Sequence, residues 1–425
     1  MKLSGVVSYY VTNKPFDRLN GFVFVDFELY STDMKILSIE SSADETAVSI
    51  VQVDGDFPDA TYTLLGNALH SQAAMHAEYG GIYPTVAKRE HAKAITPLLD
   101  IARTEADMRE EEASSLDATL TEKLHELLHR EPGMIDNLVS HLEQYAAPEI
   151  DLIAVTSGPG LEPALWVGVN FAKALSLAWG TPVVAVNHME GHILASVFDV
   201  VEDDQLATVS FPALALLISG GHTELIKMDS WGNYEKIGQT KDDAVGEAYD
   251  KVARMLGLPY PGGPEIERLA SEARQQELPA HTDLPRPMLH SGDLDMSFSG
   301  LKTAVRYAIT DQELSDTDIQ ALARDFEDAA TDVLIAKVRA ALDQTGATTF
   351  IVGGGVSASQ HLRRSFNAAL LESNPDVEVY FPAPGMSTDN SIMIALTGHA
   401  RAMNAGNTAA TQLLVADGNR SLNNE

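Results

Sequence analysis

Two histidines stand four residues apart in His188-Met189-Glu190-Gly191-His192, directly after the apolar run Pro182–Val186. On a helix, positions i and i+4 lie about 40° apart at roughly 100° per residue, so both imidazoles face one way and can share a metal. Glu190 is two residues from each, about 160° round the short way, and points away from anything the pair would hold. In the zinc-protease order H-E-x-x-H the acid follows the first histidine and serves as general base. Here the order is H-x-E-x-H, which fits that role poorly. The pair alone reads equally as metal ligands or as ordinary helix histidines. A third ligand must come from elsewhere. Asp389, in Ser387-Thr388-Asp389-Asn390, stands at the mouth of a helix expected to begin near Asn390. By spacing alone a helix N-cap is the better reading of it. As a ligand, it would complete a two-His, one-carboxylate set with positions open for substrate.

Three further segments could carry chemistry. Ile218-Ser219-Gly220-Gly221-His222-Thr223-Glu224 is a strand–turn–strand stretch whose glycines let backbone N–H groups approach phosphate oxygens, although Gly-Gly is also ordinary in a hairpin. Gly353-Gly354-Gly355-Val356-Ser357-Ala358-Ser359 follows the strand Phe350–Val352 and resembles a glycine-rich strand-to-helix crossing against a nucleotide. It is neither a dinucleotide fingerprint nor a P-loop. Asp242-Asp243-Ala244-Val245-Gly246-Glu247-Ala248-Tyr249-Asp250-Lys251, followed by Pro261-Gly262-Gly263-Pro264, crowds carboxylates onto one helix, where they repel. Asp250 could accept hydrogen bonds from a ligand; a solvated acidic face is the competing reading.

The elements that must position these residues follow a β-α-β rhythm. Met34–Ile39 opens a buried strand with Thr46–Val53 as its hairpin partner. Strands at Ile150–Thr156 and Pro182–Val186 flank a helix over Val167–Trp179. A second series starts at Ala213–Ile218, turns through a hairpin to Ile226, and passes helices from Asp243, Glu265 and Asp318 to the strand Thr349–Val352. Two halves that each open with a hairpin predict two similar lobes around a cleft. The expected boundaries are an N-terminal extension at 1–33, with Met34 as an alternative translation start; lobe I at 34–205; lobe II at 206–385; and 386–425 returning to lobe I, with a frayed tail from about Gly406. Residues 104–150 carry twelve Asp+Glu against three Lys+Arg, with leucines at helical spacing, and read as an acidic helical hairpin inserted on the surface.

The chain has 425 residues, no Cys and a formal net charge of −32. That length suits two domains or a two-lobed one. The lack of Cys excludes disulfides, thiolate-held metals and a thiol nucleophile. No stretch reaches the roughly 18 apolar residues of a membrane span and no signal-peptide layout is present, so a cytoplasmic protein is expected. The charge argues against a stand-alone nucleic-acid binder. Lys88, Arg89, His91 and Lys93 form the densest basic cluster.

Taken together, ILSIESSADETAVSIV, HAEYGGIYP, TSGPG, NHMEGH, ISGGHTEL, DDAVGEAYDKVARMLGLPYPGGP, MSFSGLKTAV, FED, GGGVSAS and STDN, spread from Ile36 to Gly398, closely resemble one family: the bacterial tRNA N6-adenosine threonylcarbamoyltransferases of the TsaD group, formerly described as O-sialoglycoprotein endopeptidases. The resemblance implies the two-lobed α/β ASKHA (actin-like) fold with a nucleotide cleft. It implies one metal, most readily Fe(2+) with Zn as the alternative, on His188, His192 and Asp389. It also implies substrate contacts from Leu217, Ile218, Ser219, Gly220, Gly221, Asp250, Gly263, Glu267 and Ser359. The implied reaction moves the threonylcarbamoyl group from L-threonylcarbamoyl-AMP to N6 of adenosine 37 in tRNAs reading ANN codons, releasing AMP. Backbone donors of Ser219-Gly220-Gly221 would hold developing charge, and Glu45 is the side chain to test as base. Implied partners are tRNA, a metal-less paralogue forming a heterodimer and a small P-loop ATPase, with the adenylate made by a separate synthase. The sequence departs from the family at Ser359, where Asn is usual, at Ala43 and Ser387, where Cys is usual, at Leu161-Glu162-Pro163, and in the longer insert. Competing readings are a metalloprotease, a sugar- or acetate-kinase-like phosphotransferase, and a non-enzymatic scaffold paralogue. The metal triad speaks against the last.

Overall fold

The computed structural model describes residues 33–111, 114–199, 204–310, 312–404 and 414–422. Residues 1–32, on which the expectations of an N-terminal extension and a start at Met34 fall, lie outside them. The apolar segment after them forms β1 (Asp33–Glu40), which pairs antiparallel with β2 (Glu45–Asp54), itself antiparallel to β3 (Thr61–Ser71). Next come α1 (Ala73–Ala77), α2 (Pro84–Glu105), α3 (Ala118–Leu127) and α4 (Ile135–Gln144). The strand β4 (Leu152–Gly158) runs parallel to β1; α5 (Glu162–Trp179) leads to β5 (Val183–Asn187), parallel to β4. Helix α6 (His188–Val197) and the short strands β6 (Phe198–Asp199) and β7 (Gln205–Leu206) complete a sheet of order β5-β4-β1-β2-β3-β7-β6.

The second sheet repeats the five-strand core of the first. β8 (Ala213–Ile218), β9 (Thr223–Ser230) and β10 (Asn233–Gln239) form the antiparallel meander. Then follow α7 (Val245–Met255), α8 (Gly262–Gln275), α9 (Ser299–Ile309) and α10 (Asp316–Thr345). β11 (Thr349–Gly353), α11 (Gln360–Ser373) and β12 (Glu378–Tyr380) add the parallel strands, giving order β10-β9-β8-β11-β12. A final helix, α12 (Ser391–Asn404), crosses back to pack on β1, β2 and β5 of the first sheet. This is the expected two-lobed α/β architecture. Among the described residues no helix is long and apolar enough to cross a membrane.

Alternation along β1 explains the layering. Leu37 and Ile39 enter a core with α2 and α5, while Met34 and Ile36 enter a second core under α12. Two expectations need correcting. The acidic insert is helical, but it is more than a surface decoration. Leu124, Leu128, Met134, Leu138 and Leu142 belong to the same core as Leu37, and the described acidic residues of the insert are exposed apart from Glu131, which is buried. Arg103, 1% exposed, ties it down: its Nη2 donates to the carbonyls of Met108 (2.8 Å) and Ala146 (2.7 Å). The tail is not frayed over 414–422 either. Asp417 N–H donates to the Ser157 carbonyl (2.8 Å), and Ala416 and Leu422 are buried in separate cores.

Leu138→Ala should therefore cost about 2–5 kcal/mol of stability, as a core truncation does. Urea unfolding checks this, and a loss within about 0.5 kcal/mol, normal for a surface site, would return the insert to a decoration.

Candidate metal centre and substrate cleft

Strand β5 ends at Asn187, whose side chain accepts a hydrogen bond from Met189 N–H (3.0 Å) and so starts α6 with His188 as its first residue. His188 and His192 then stack one turn apart, ring centroids 4.7 Å apart. At the mouth of α12 the cap is Asn390, whose Oδ1 accepts from Met393 N–H (3.0 Å). This overturns the spacing-based reading of Asp389 as the cap and leaves its carboxylate free to turn toward the histidines. Asp389 Oδ1 lies 3.3 Å from His188 Nε2 and 3.2 Å from His192 Nε2. The three side chains each offer a ligand atom within 4.8 Å of the others. The two helices come this close because Gly191 faces Met393: a Cβ there would meet Met393 Cγ at 3.1 Å.

The donor chemistry fits a divalent cation. Both ring nitrogens of His192 are buried without a hydrogen-bond partner, a cost that a ligated cation relieves. His188 Nδ1 is held by Glu40 Oε2 at 3.1 Å, so its Nε2 faces Asp389. Such a carboxylate behind a ligating imidazole fixes the tautomer and raises ligand basicity. Glu40 is fixed in turn by Ser42 N–H and the Thr156 hydroxyl. Sequence reasoning missed Glu40, although a lone acid ending an apolar strand signals it. Burial works against charge on both Asp389 and His188, yet their mutual attraction wins. It holds the Asp389 carboxyl far below the usual range and, with Glu40, the His188 imidazolium well above it. Glu190 points away as its rotation predicts, bonded to the Tyr234 hydroxyl (3.0 Å) and Arg401 (2.7 Å).

The centre opens on a cleft of about 800 Å³ between the lobes, lined among others by Ser42, Glu45, His188, Ser219, Asp250 and Ser359. Gly220, Gly221, Gly263 and Gly355 all border it where an added Cβ would meet only open space, so the space beside four backbones is left for a ligand. Gly354, at φ +91°, crosses Ile218 so closely that a Cβ would lie 2.4 Å from its carbonyl oxygen.

The expected substrate contacts divide. Gly220, Gly221, Asp250, Gly263, Glu267, Ser219 and Ser359 reach the cleft. Leu217 and Ile218 do not: they are fully buried in β8, paired with Glu224 and Thr223. The turn also closes on itself. Ser219 N–H donates to the His222 carbonyl (2.9 Å) and Gly221 N–H to Ser219 Oγ (3.3 Å), so of the three proposed charge-holding donors Gly220 N–H is the one left for a ligand. Ser359 Oγ caps α11 through Leu362 N–H (3.2 Å) and donates to Glu267 Oε1 (3.3 Å), which also accepts from Gln360 N–H. Both side chains thus hold the glycine-rich crossing in place. Asp250 Oδ1 accepts from Gly262 N–H (2.7 Å), and burial raises its carboxyl.

Glu45 and Asp44 sit side by side in the cleft wall. Burial and the charges of Asp389 and Asp44 push Glu45 up to about 9, so it holds its proton at neutral pH and is poorly suited to accept another. His222, which sequence reasoning quoted without a role, lines the same wall, and burial lowers its pKa, so it is neutral there. The basic cluster is largely neutralised: Lys88 meets Glu131 (3.5 Å), Arg89 and Lys93 meet Glu90 (2.8 and 2.9 Å), and His91 is buried against Thr46.

Comparison with known proteins points to one family. A profile of the TsaD family, described as tRNA N6-adenosine threonylcarbamoyltransferase, matches residues 63–119 and 126–396. A Burkholderia ambifaria protein of that name is 43% identical over 375 residues, 87% of this chain and 92% of the relative. One from Burkholderia vietnamiensis is 42% identical with the same coverage. A solved structure of full-length HypF in its phosphate- and nucleotide-bound form aligns with 90% of this chain and 48% of its own at 11% identity. Its TM-score of 0.47 is too low to inform the site.

Glu40→Gln should weaken binding of a divalent cation about 10- to 100-fold while leaving the fold intact; calorimetric titration of chelator-treated protein measures it, and unchanged affinity would remove Glu40 from the centre. Glu45 gives a pH signature. The unfolded chain releases this proton near 4.5 and the folded chain near 9, so stability falls as pH rises between them. Glu45→Gln should raise the melting temperature of the chelator-treated protein more at pH 8 than at pH 5.

Proposed function

The chain belongs to the tRNA N6-adenosine threonylcarbamoyltransferase family, and we propose that it acylates N6 of adenosine 37 in tRNAs reading ANN codons, taking the threonylcarbamoyl group from L-threonylcarbamoyl-AMP and releasing AMP. The observation that carries this reading is the His188–His192–Asp389 set at the wall of a glycine-bordered cleft that both lobes build. Its volume of about 800 Å³ suits a nucleotide-sized ligand.

The three ligands would hold one cation, with Fe(2+) preferred and Zn(2+) the alternative for a two-His, one-carboxylate set. When bound, it supplies Lewis acidity toward an acyl or phosphate oxygen. The rest is the work of this chain's own groups. Gly220 N–H, the donor the turn leaves uncommitted, would receive an oxygen that gains charge. Asp250, which lines the cleft, would accept from a ribose hydroxyl or the carbamoyl N–H of the adenylate. Gly263 and Gly355 admit the adenylate against backbone. AMP is a good leaving group, so orienting the two substrates supplies a large part of the rate. N6 loses a proton as the C–N bond forms. We assign its removal to neutral His222, and to protonated Glu45 the donation of a proton to the departing phosphate oxygen, which keeps the proton count balanced.

Such chemistry is at home in the cytoplasm, with tRNA as the acceptor. The family resemblance supports a metal-less paralogue, a small P-loop ATPase and a separate adenylate synthase as the working partners. A metalloprotease finds no support: Glu190, the acid its mechanism would need, is tied to Tyr234 and Arg401.

Reconstitution with the paralogue, tRNA and threonylcarbamoyl-AMP tests the proposal. The wild-type chain should form the modified nucleoside, detected by nuclease digestion and mass spectrometry, and Asp389→Ala should not. His222→Ala should lower kcat by about 10²-fold or more, while adenylate affinity stays near that of wild type. Full activity in Asp389→Ala would remove the metal assignment.

A further inference from the structure

Large aromatic side chains normally bury, but Tyr79 and Tyr83 are 56% and 52% exposed and stack on each other, ring centroids 5.6 Å apart at 23°. The loop between them holds both rings out. Tyr79 N–H and Gly81 N–H donate to the carbonyl of buried His76 (3.0 and 3.3 Å), and Tyr83 N–H donates to His76 Nδ1 (3.4 Å). His76 Nε2 is itself anchored on Gln72 Oε1 (3.2 Å). Between the tyrosines, Ile82 lines the cleft, so the pair stands at its rim. From the other lobe, the exposed side chain of Arg254 on α7 reaches the same loop. A Cβ on Gly80 would lie 3.9 Å from Arg254 Nη1, and Arg254 forms no ion pair among the described residues. By contrast, Lys251 one turn earlier is paired with Asp243 and Glu247.

A π surface beside an uncommitted guanidinium is the pairing that holds single-stranded nucleic acid: bases stack on the rings and phosphate meets the cation. A base acylated inside a cleft has to leave its stack, and its neighbour then needs a new one. We propose that Tyr79 and Tyr83 form a stacking platform for the nucleobase flanking the target adenosine, with Arg254 contacting phosphate across the lobes. This rests on tRNA being the substrate. Tyrosine also favours protein interfaces, but the position at the rim where the acceptor base must enter, together with an unpaired cation, favours RNA.

The test uses the full chain purified with the subunits that accompany it, and anticodon stem–loop RNAs carrying 2-aminopurine on either side of the target adenosine. Anisotropy reports binding and 2-aminopurine fluorescence reports stacking. One of the two RNAs should be quenched by the wild-type protein. Tyr79→Ala/Tyr83→Ala should abolish the quench and weaken binding about tenfold, while Tyr83→Phe retains both. Arg254→Ala should reduce the salt dependence by about one phosphate contact. If the double variant does not fold, Tyr79→Leu and Tyr83→Leu singly repeat the quench measurement. RNA bound without quenching overturns the platform. Quenching that survives the double variant does so too, and leaves the patch as a protein contact. A wild-type protein that binds neither RNA overturns the tRNA reading and the platform together.

Discussion

Everything about this site follows from burying α6 between two sheets. All ten residues of the helix are buried. Its apolar side chains divide between the lobes: Met189, Ile193 and Val197 pack on the second sheet, while Leu194 and Ala195 join the core under α12. That leaves four polar side chains inside the protein, each of which needs partners. Ser196 bonds to the carbonyls of His192 and Val352. Glu190 finds Tyr234 and Arg401, one from each lobe. His188 finds Glu40 and Asp389. His192 finds an anionic neighbour but no hydrogen bond. The helix is therefore fully reconciled with its burial except at the point where a cation would sit.

The same constraint explains why the ligands hold a fixed geometry. His188 and His192 share one helix, Asp389 is delivered by α12, and Glu40 ends β1, so three elements meet on one side of the cleft. The close approach of α6 and α12 at Gly191 sets where Asp389 lands. Removing a partner from such a buried charge cluster leaves the others uncompensated, which costs more than the pair contributes.

How much of this was legible in the sequence depended on whether the signal was local. The i, i+4 spacing of the histidines and the rotation of Glu190 are properties of one helix, and both readings agree with the structure. The insert's leucines were equally readable as helical, but which surface they cover is set by α2 and α5 folding beneath them. β3 and the short β12 were missed because neither carries a continuous apolar run: β3 mixes exposed and buried positions, with an irregularity opposite Ile50 and Val51. Asp389 could not be told from a cap, since Asn390 beside it has the same capping ability and geometry alone separates them. Leu217 and Ile218 came with a motif, yet both side chains are fully buried in the cores on either side of β8 and none is left for the cleft. The docking of 414–422 on Ser157 is a contact between distant segments without a local signature.

The excess negative charge also takes on a definite meaning. A chain at −32 cannot hold RNA by a broad basic face. Its cations are mostly committed, as Lys88, Arg89 and Lys93 are to Glu131 and Glu90. Arg89 and Lys93 are more than half exposed, so their pairs with Glu90 contribute little to stability and can be replaced by a competing phosphate, but each exchange releases an acid that repels the same backbone. Affinity then has to come from contacts that acid does not oppose, namely stacking, a few unpaired guanidinium groups and whatever surface the partner subunits add. A rigid aromatic pair at the cleft rim meets that requirement. Stacking is nearly indifferent to net charge, whereas a lysine at the same place would be drawn to the nearest carboxylate.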